Sequence, residues 1–229
     1  MVKYSKTGEY HKLNKIVNQD FIFRFENEEA AFFAVADGVS SCANSRQGAE
    51  IACKTGAKVI LDDVDYYFGL SPQKTINILV ANIKNEIEKA AAQSDSPAKS
   101  FASTLCFACI EKKSGKMMTF VLGDSRIYSI SGQNIDVMNP VRSYGHGITC
   151  TTMTDRCESD ARLEISIPGK YSEYMLCTDG CWKNLFFTDE KNRLNMRESS
   201  TGKAAEYLKS RAIDDDCSFL LIANQTTGG

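Results

Sequence analysis

Hydrophobic period changes several times along this chain, and the order of those changes restricts the fold more than any other feature. Residues 21–25, FIFRF, alternate over a short span and read as a strand. Residues 30–36, AAFFAVA, form an unbroken apolar run of strand length, and the polar ENEE before them makes 21–36 a hairpin. The period then lengthens. Ala49, Ala52, Cys53, Ala57, Val59 and Ile60 share one face of a helix expected over 46–62. A second helix is expected over 73–93, opened by Ser71-Pro72 and carrying Ile76, Leu79, Val80, Ile83 and Ile87. Short strands return in SFASTLCFACIE, KMMTFVLG, SRIYSIS and NIDVM, and read as an antiparallel meander. YSEYMLC is a further strand, followed by a short helix in CWKNLF, another in TGKAAEYLKSRAI and a last strand, CSFLLIA. Runs of strands and runs of helices, rather than strict alternation, predict an α+β fold with antiparallel sheets. No repeat, linker or low-complexity tract divides residues 1–229, so a single domain is expected.

Charge and cysteine usage narrow the function. Lys and Arg number 27 against 29 Asp and Glu, for a net charge of −2, with no basic run to hold a nucleic acid. No apolar run approaches the ~20 residues of a membrane span. MVKYSKTGEYHKLNK is too polar for a signal peptide. The nine cysteines sit mostly in apolar surroundings and read as small buried hydrophobes of a reduced, cytoplasmic protein. Cys106 and Cys109 have CxxC spacing, but on a strand they would point to opposite faces and make a poor zinc knuckle.

Five aspartates stand at the edges of apolar segments. Asp20 precedes a strand in NQD, Asp37 ends one in AVADG, and Asp124 turns between two in VLGDSRIY. Asp179 ends another in MLCTDG, and Asp215 precedes the last in DDDCSFLLI. Strand edges can converge at one end of a sheet pair, and carboxylates brought together repel unless a cation joins them. Hard oxygen ligands select Mg²⁺ or Mn²⁺. Gly38 would let a bare backbone offer its carbonyl at close approach. Taken singly, each Asp-Gly is also an ordinary turn or helix cap, and DDD an ordinary solvated loop.

The segments NQD, AVADGVSS, SFASTLCFA, TFVLGDSRIYSI, LCTDGCW and DDDCSFLLI, in that order across residues ~14–223, resemble the protein phosphatase 2C family of metal-dependent serine/threonine phosphatases, compact bacterial members above all. The resemblance implies a four-layer α-β-β-α sandwich with two central antiparallel sheets, the helices at 46–62 and 73–93 forming one outer pair. It implies two Mn²⁺ or Mg²⁺ ions. Asp37 would bridge them and the Gly38 carbonyl would complete one. Asp179 and Asp215 would bind the other, and Asp20 would hold bound water. Asp124 would share a third ion with Asp179. The implied reaction is hydrolysis of phosphoserine or phosphothreonine by direct attack of a metal-bridging water. The implied partners are a phosphorylated protein and a cognate kinase, with no nucleic acid and no membrane, and a monomer is expected.

Departures from the family pattern raise an alternative, a weakly active or inactive regulatory module on the same fold. Lys15 stands where an Arg usually grips substrate phosphate, keeping the charge without the bidentate fork. Arg46 is a candidate helper. Gln19 replaces a frequent Glu, and Val39 replaces the His of other relatives, leaving water to protonate the leaving group. His11 and His146 are expected at the surface, and Trp182 in the core. The flap is expected to be reduced to about 139–168, with Gly145 and Gly147 giving mobility. Asn224-Gln225-Thr226 spells a glycosylation sequon that a cytoplasmic protein would not use.

Overall fold

The computed structural model describes residues 1–140, 150–169 and 172–223. In chain order its elements are β1 (Val2–Lys6), α1 (Glu9–Leu13), β2 (Phe21–Glu26), β3 (Ala30–Ala36), α2 (Ser45–Asp62), α3 (Val64–Gly69), α4 (Pro72–Gln93), β4 (Leu105–Glu111), β5 (Met117–Leu122), β6 (Arg126–Ser131), β7 (Asn134–Met138), α5 (Cys157–Asp160), β8 (Arg162–Ser166), β9 (Glu173–Cys177), α6 (Asp179–Leu185), β10 (Phe186–Thr188), β11 (Leu194–Met196), α7 (Ala204–Lys209) and β12 (Cys217–Ala223). Short 3₁₀ turns cover Ala98–Phe101 and Thr201–Lys203.

Two five-stranded antiparallel sheets, β1-β12-β9-β6-β7 and β2-β3-β4-β5-β8, form the centre. The apolar run of β3 has its cause here, because both its faces are covered. Ala30, Phe32, Ala34 and Ala36 point toward α2 and α4, packing with Ile60, Leu79, Ile83 and Phe107. Ala31, Phe33 and Val35 point the other way, against Leu176, Leu220 and Ile222 of the second sheet. β12 repeats the pattern: Phe219 and Leu221 face α6 and α7, while Leu220 and Ile222 face the first sheet. Period-2 alternation thus yields four layers from strands with almost no polar residues. Phe32, tilted on Phe107 at 4.8 Å between centroids, and Phe120, stacked on Phe107 at 5.1 Å, fill the space under α2 and α4. Truncating one of these fully buried rings to Ala would cost about 3–5 kcal/mol.

The expected helices and strands are present, with α2 and α4 as one outer pair, but the meander is not continuous. β4 pairs with β5 and β6 with β7, yet β5 and β6 lie in different sheets. The turn carrying Asp124 therefore crosses from one sheet to the other. Period alone cannot register a change of sheet, because strand propensity is the same on either side of the turn. The polar start of the chain also conceals β1, whose Val2, Tyr4 and Lys6 are half-covered while Lys3 and Ser5 are exposed. Cys106 faces the inter-sheet core and Cys109 the helix layer, as strand geometry requires. Among the described residues no helix is long and apolar enough to cross a membrane. Gly145, His146, Gly147 and the sequon at 224–226 lie outside the described residues.

Candidate metal centre

Four connections meet at one end of the paired sheets. β3 delivers Asp37, the β5–β6 crossing delivers Asp124, the end of β9 delivers Asp179 as the first residue of α6, and the loop before β12 delivers Asp215. One carboxylate oxygen each from Asp37, Asp124 and Asp179 lie within 4.8 Å of one another. Asp215, Gly38, Val39, Ser40, Thr104 and Thr151 complete the wall of the same cavity, of about 230 Å³.

Backbone contacts hold these connections in place. The Thr104 amide donates to the Asp37 carbonyl at 2.8 Å, and the Asp37 amide donates to Thr104 Oγ1 at 3.0 Å. Thr104 Oγ1 also shares a 2.7 Å hydrogen bond with Ser125 Oγ, joining Asp37 to the Asp124 turn. Trp182 Nε1 donates to the Asp124 carbonyl at 2.8 Å, which ties that turn to α6. Two glycines permit the close approach. A Cβ on Gly38 would lie 2.8 Å from the Gln19 carbonyl oxygen, and one on Gly180 would lie 2.1 Å from that of Asp216.

Asp20 lies under this cluster, 2% exposed. Thr178 Oγ1 donates to its Oδ2 at 2.9 Å, but its Oδ1 is buried with no hydrogen-bond partner, as is Oδ1 of Asp179. Burial pushes Asp20 up to about 8, with the charges of Asp216 and Asp179 adding to it and hydrogen bonds from Ser218 and Thr178 opposing it. Burial likewise raises Asp37 well above the usual carboxylate range, reinforced by Asp20, Asp179, Asp215 and Asp124. Asp215 is raised by burial and by Asp179. Carboxylates that disfavour one another's charge, with buried oxygens left unpaired, fit a site built for hard cations.

The other candidates fall in different places. Lys15 is exposed in the turn after α1, in a left-handed conformation (φ 56°), and is not on the cavity wall. Arg46 lays its guanidinium over the Phe21 ring at 4.9 Å. Gln19 is buried, with Nε2 3.5 Å from the Cys42 carbonyl and Oε1 unpaired. His11, expected at the surface, is instead 2% exposed and bonded through Nδ1 to Asp216 Oδ2 at 2.8 Å. The helical spacing of a five-residue α1 is too short to reveal its buried face, which is why the sequence misplaces this histidine. Trp182, expected in the core, is half-buried at its edge. It holds the Asp124 carbonyl and stacks under Arg126, whose guanidinium carbon is 3.5 Å from the ring centroid.

Asp216 is the residue that sequence reasoning missed. It is 1% exposed and accepts hydrogen bonds from the Gly8 amide at 2.8 Å, the Gln19 amide at 2.5 Å and His11. The acidic triplet before β12 is therefore not solvated throughout: Asp214 is exposed, Asp215 half-buried and Asp216 buried. The available signal was its position, directly against an apolar strand.

A profile of the family described as Protein phosphatase 2C matches residues 7–211. Curated protein sequences give no match. Solved structures with the same fold include the serine/threonine phosphatase Stp1 from Staphylococcus aureus, with a TM-score of 0.67 and 16% identity, covering 98% of this chain and 94% of that one. PppA, a key regulatory component of T6SS in Pseudomonas aeruginosa, gives a TM-score of 0.68 at 17% identity, over 97% and 96% of the two chains. RsbX in complex with magnesium gives 0.62 at 14%, over 96% and 92%. With the profile spanning most of the chain, and with the fold and the acidic cluster in agreement, this chain belongs to the protein phosphatase 2C family.

Proposed function

We propose that the protein is a metal-dependent phosphoprotein phosphatase acting on phosphoserine and phosphothreonine. The observation that carries this is the convergence of Asp37, Asp124 and Asp179 oxygens within 4.8 Å, beside buried carboxylate oxygens that have no protein partner. Asp37 would bridge two Mn²⁺ or Mg²⁺ ions and the Gly38 carbonyl would complete one of them. Asp179 and Asp215 would hold the second, and Asp124 with Asp179 a third. Bound ions would supply an activated water and a charge clamp for the phosphoryl group.

The chain's own residues do the rest. Asp20 sits under Asp37 and Asp179, able to hold a proton or accept from water at its unpaired Oδ1. Thr104, Ser125 and Trp182 keep the Asp37 and Asp124 backbones from drifting apart. Val39 and Ser40 stand beside Gly38 on the wall, and with valine rather than histidine at 39 the leaving group would take its proton from water. By resemblance Lys15 is the candidate for gripping substrate phosphate. A phosphorylated protein is the substrate class, a kinase the natural counterpart, the cytoplasm the expected compartment and a monomer the expected state.

The test is hydrolysis of p-nitrophenyl phosphate and a phosphothreonine peptide with Mn²⁺, with Mg²⁺ and with chelator, alongside Asp37→Asn. Turnover that requires metal and disappears in the variant supports the reading. Metal binding by calorimetry without turnover would favour the regulatory module, for which Gln19 and the exposed Lys15 are the supporting features. Absence of both would overturn the reading.

A further inference from the structure

Among the described residues, every charged side chain on the cavity wall is acidic, whereas a phosphate ester arrives with negative charge of its own. Among the described residues, Lys183 meets a carboxylate of this set directly. Lys183 follows Asp179 by one turn of α6, and its Nζ is 2.6 Å from Asp179 Oδ2. It also feels the charges of Asp124 and Asp215. Neighbouring guanidiniums are engaged on rings, Arg46 over Phe21 and Arg126 over Trp182. The Lys183 side chain is 55% exposed, and its ammonium also lies 5.6 Å from the Trp182 ring centroid, near the outer limit of a cation–π contact and too loose to fix it. Only the lysine end is open, because the Asp179 side chain is 11% exposed, and a single pair at this spacing adds little to a helix. The contact is therefore weak as a structural device and well placed as an exchangeable one.

We propose that Lys183 is a substrate-binding residue, resting on Asp179 until a divalent cation takes that carboxylate and then turning its ammonium to a phosphoryl oxygen of the substrate. This rests on the metal-dependent phosphatase reading above. Three rotatable donors on a flexible four-carbon stem suit such an exchange. The anchor at one turn from Asp179 keeps the displaced ammonium at the rim of the cavity, where it adds positive charge beside an acidic wall. The consequence is a pair of opposite effects. Removing Lys183 takes a competitor from the metal and a partner from the phosphate.

The full-length chain is compared with Lys183→Met, Lys183→Arg and Lys15→Ala. Calorimetry with Mn²⁺ alone reads metal affinity. KM for p-nitrophenyl phosphate and inhibition by inorganic phosphate read anion binding. In Lys183→Met, Mn²⁺ binding is expected to tighten about three- to tenfold. KM and the phosphate inhibition constant are expected to rise about tenfold with kcat changed less than about threefold, and Lys183→Arg to restore most of the loss. Unchanged or weaker Mn²⁺ binding in Lys183→Met overturns the proposal. So does an unchanged KM there while Lys15→Ala raises it. If the unaltered chain binds Mn²⁺ and turns over but Lys183→Met behaves identically, only the Lys183 assignment falls. If the unaltered chain binds no Mn²⁺, the metal-dependent reading falls and takes this proposal with it.

Discussion

His11 Nδ1 lies 2.8 Å from Asp216 Oδ2, and the two side chains are 2% and 1% exposed. Through Asp216 this contact joins three parts of the chain, because the Gly8 and Gln19 amides bond to the same carboxylate. It fastens α1 and the approach to β2 onto the loop that delivers Asp215. Replacing Asp216 with Ala leaves a buried histidine and two buried amides without an acceptor, and is expected to cost about 3–5 kcal/mol. His11→Ala is expected to cost about 1–3 kcal/mol. Urea unfolding measures both, and midpoints equal to that of the unaltered protein would show that the pair carries no stability.

The metal-free protein is expected to lose stability as pH rises from about 4 toward 8. Asp20 is held up to about 8 in the folded chain, and Asp37 and Asp215 are raised in the same direction by burial and mutual repulsion. An unfolded carboxylate ionises near 3.9, so across this window the folded state binds more protons and stability falls with pH. The decline continues until both Asp20 and Asp37 have ionised. Saturating Mn²⁺ should flatten or reverse the trend, because a cation favours the ionised carboxylates. Melting temperatures from pH 5 to 8, with chelator and with Mn²⁺, check the sign. A chelated protein that gains stability over this range would contradict the electrostatic account of the cluster.

Gly180→Ala is expected to destabilise the protein and weaken its metal binding together. The added Cβ would sit 2.1 Å from the Asp216 carbonyl oxygen and 3.3 Å from Asp215 Cβ. Either α6 or the loop before β12 must move, and each carries a proposed ligand. Overpacking of this kind costs about 1–3 kcal/mol. Thermal unfolding and Mn²⁺ calorimetry on one preparation would show whether the two losses travel together.

Trp182→Phe keeps an aromatic ring under Arg126 but removes the donor to the Asp124 carbonyl. The expected stability loss is about 1 kcal/mol, the worth of one hydrogen bond. A weaker apparent affinity for the ion nearest Asp124 should accompany it, read by Mn²⁺ titration. Unaltered titration at all sites would mean that the β5–β6 crossing holds Asp124 without help from α6.

Relief of repulsion gives a further expectation for Asp20→Asn. The amide cannot ionise, so the metal-free variant should melt no lower than the unaltered protein at pH 8 and show a shallower pH trend. It should also bind metal less tightly, which calorimetry reads separately.

Much of the fold was legible from local pattern. AAFFAVA could only be a buried strand, Ser71-Pro72 marks the start of α4, and the spacing of Ile76, Leu79, Val80, Ile83 and Ile87 marks its buried face. The five aspartates at strand edges were visible too, and four of them line the cavity. β1 escaped notice because an edge strand whose open side carries Lys3 and Ser5 has little apolar signal.

What the sequence determined by itself is therefore the set of elements and the chemical type of the site. Period, breakers and residue chemistry are local properties, and a run of residues carries them whatever it packs against. The tertiary structure decided the rest: that β5 and β6 part into different sheets, that His11 turns inward to Asp216, and that Lys183 rather than Lys15 stands against a carboxylate of the cluster. These outcomes depend on which distant segments share space. Asp216 meets Gly8 across 208 positions of chain, and no local pattern encodes a contact of that span.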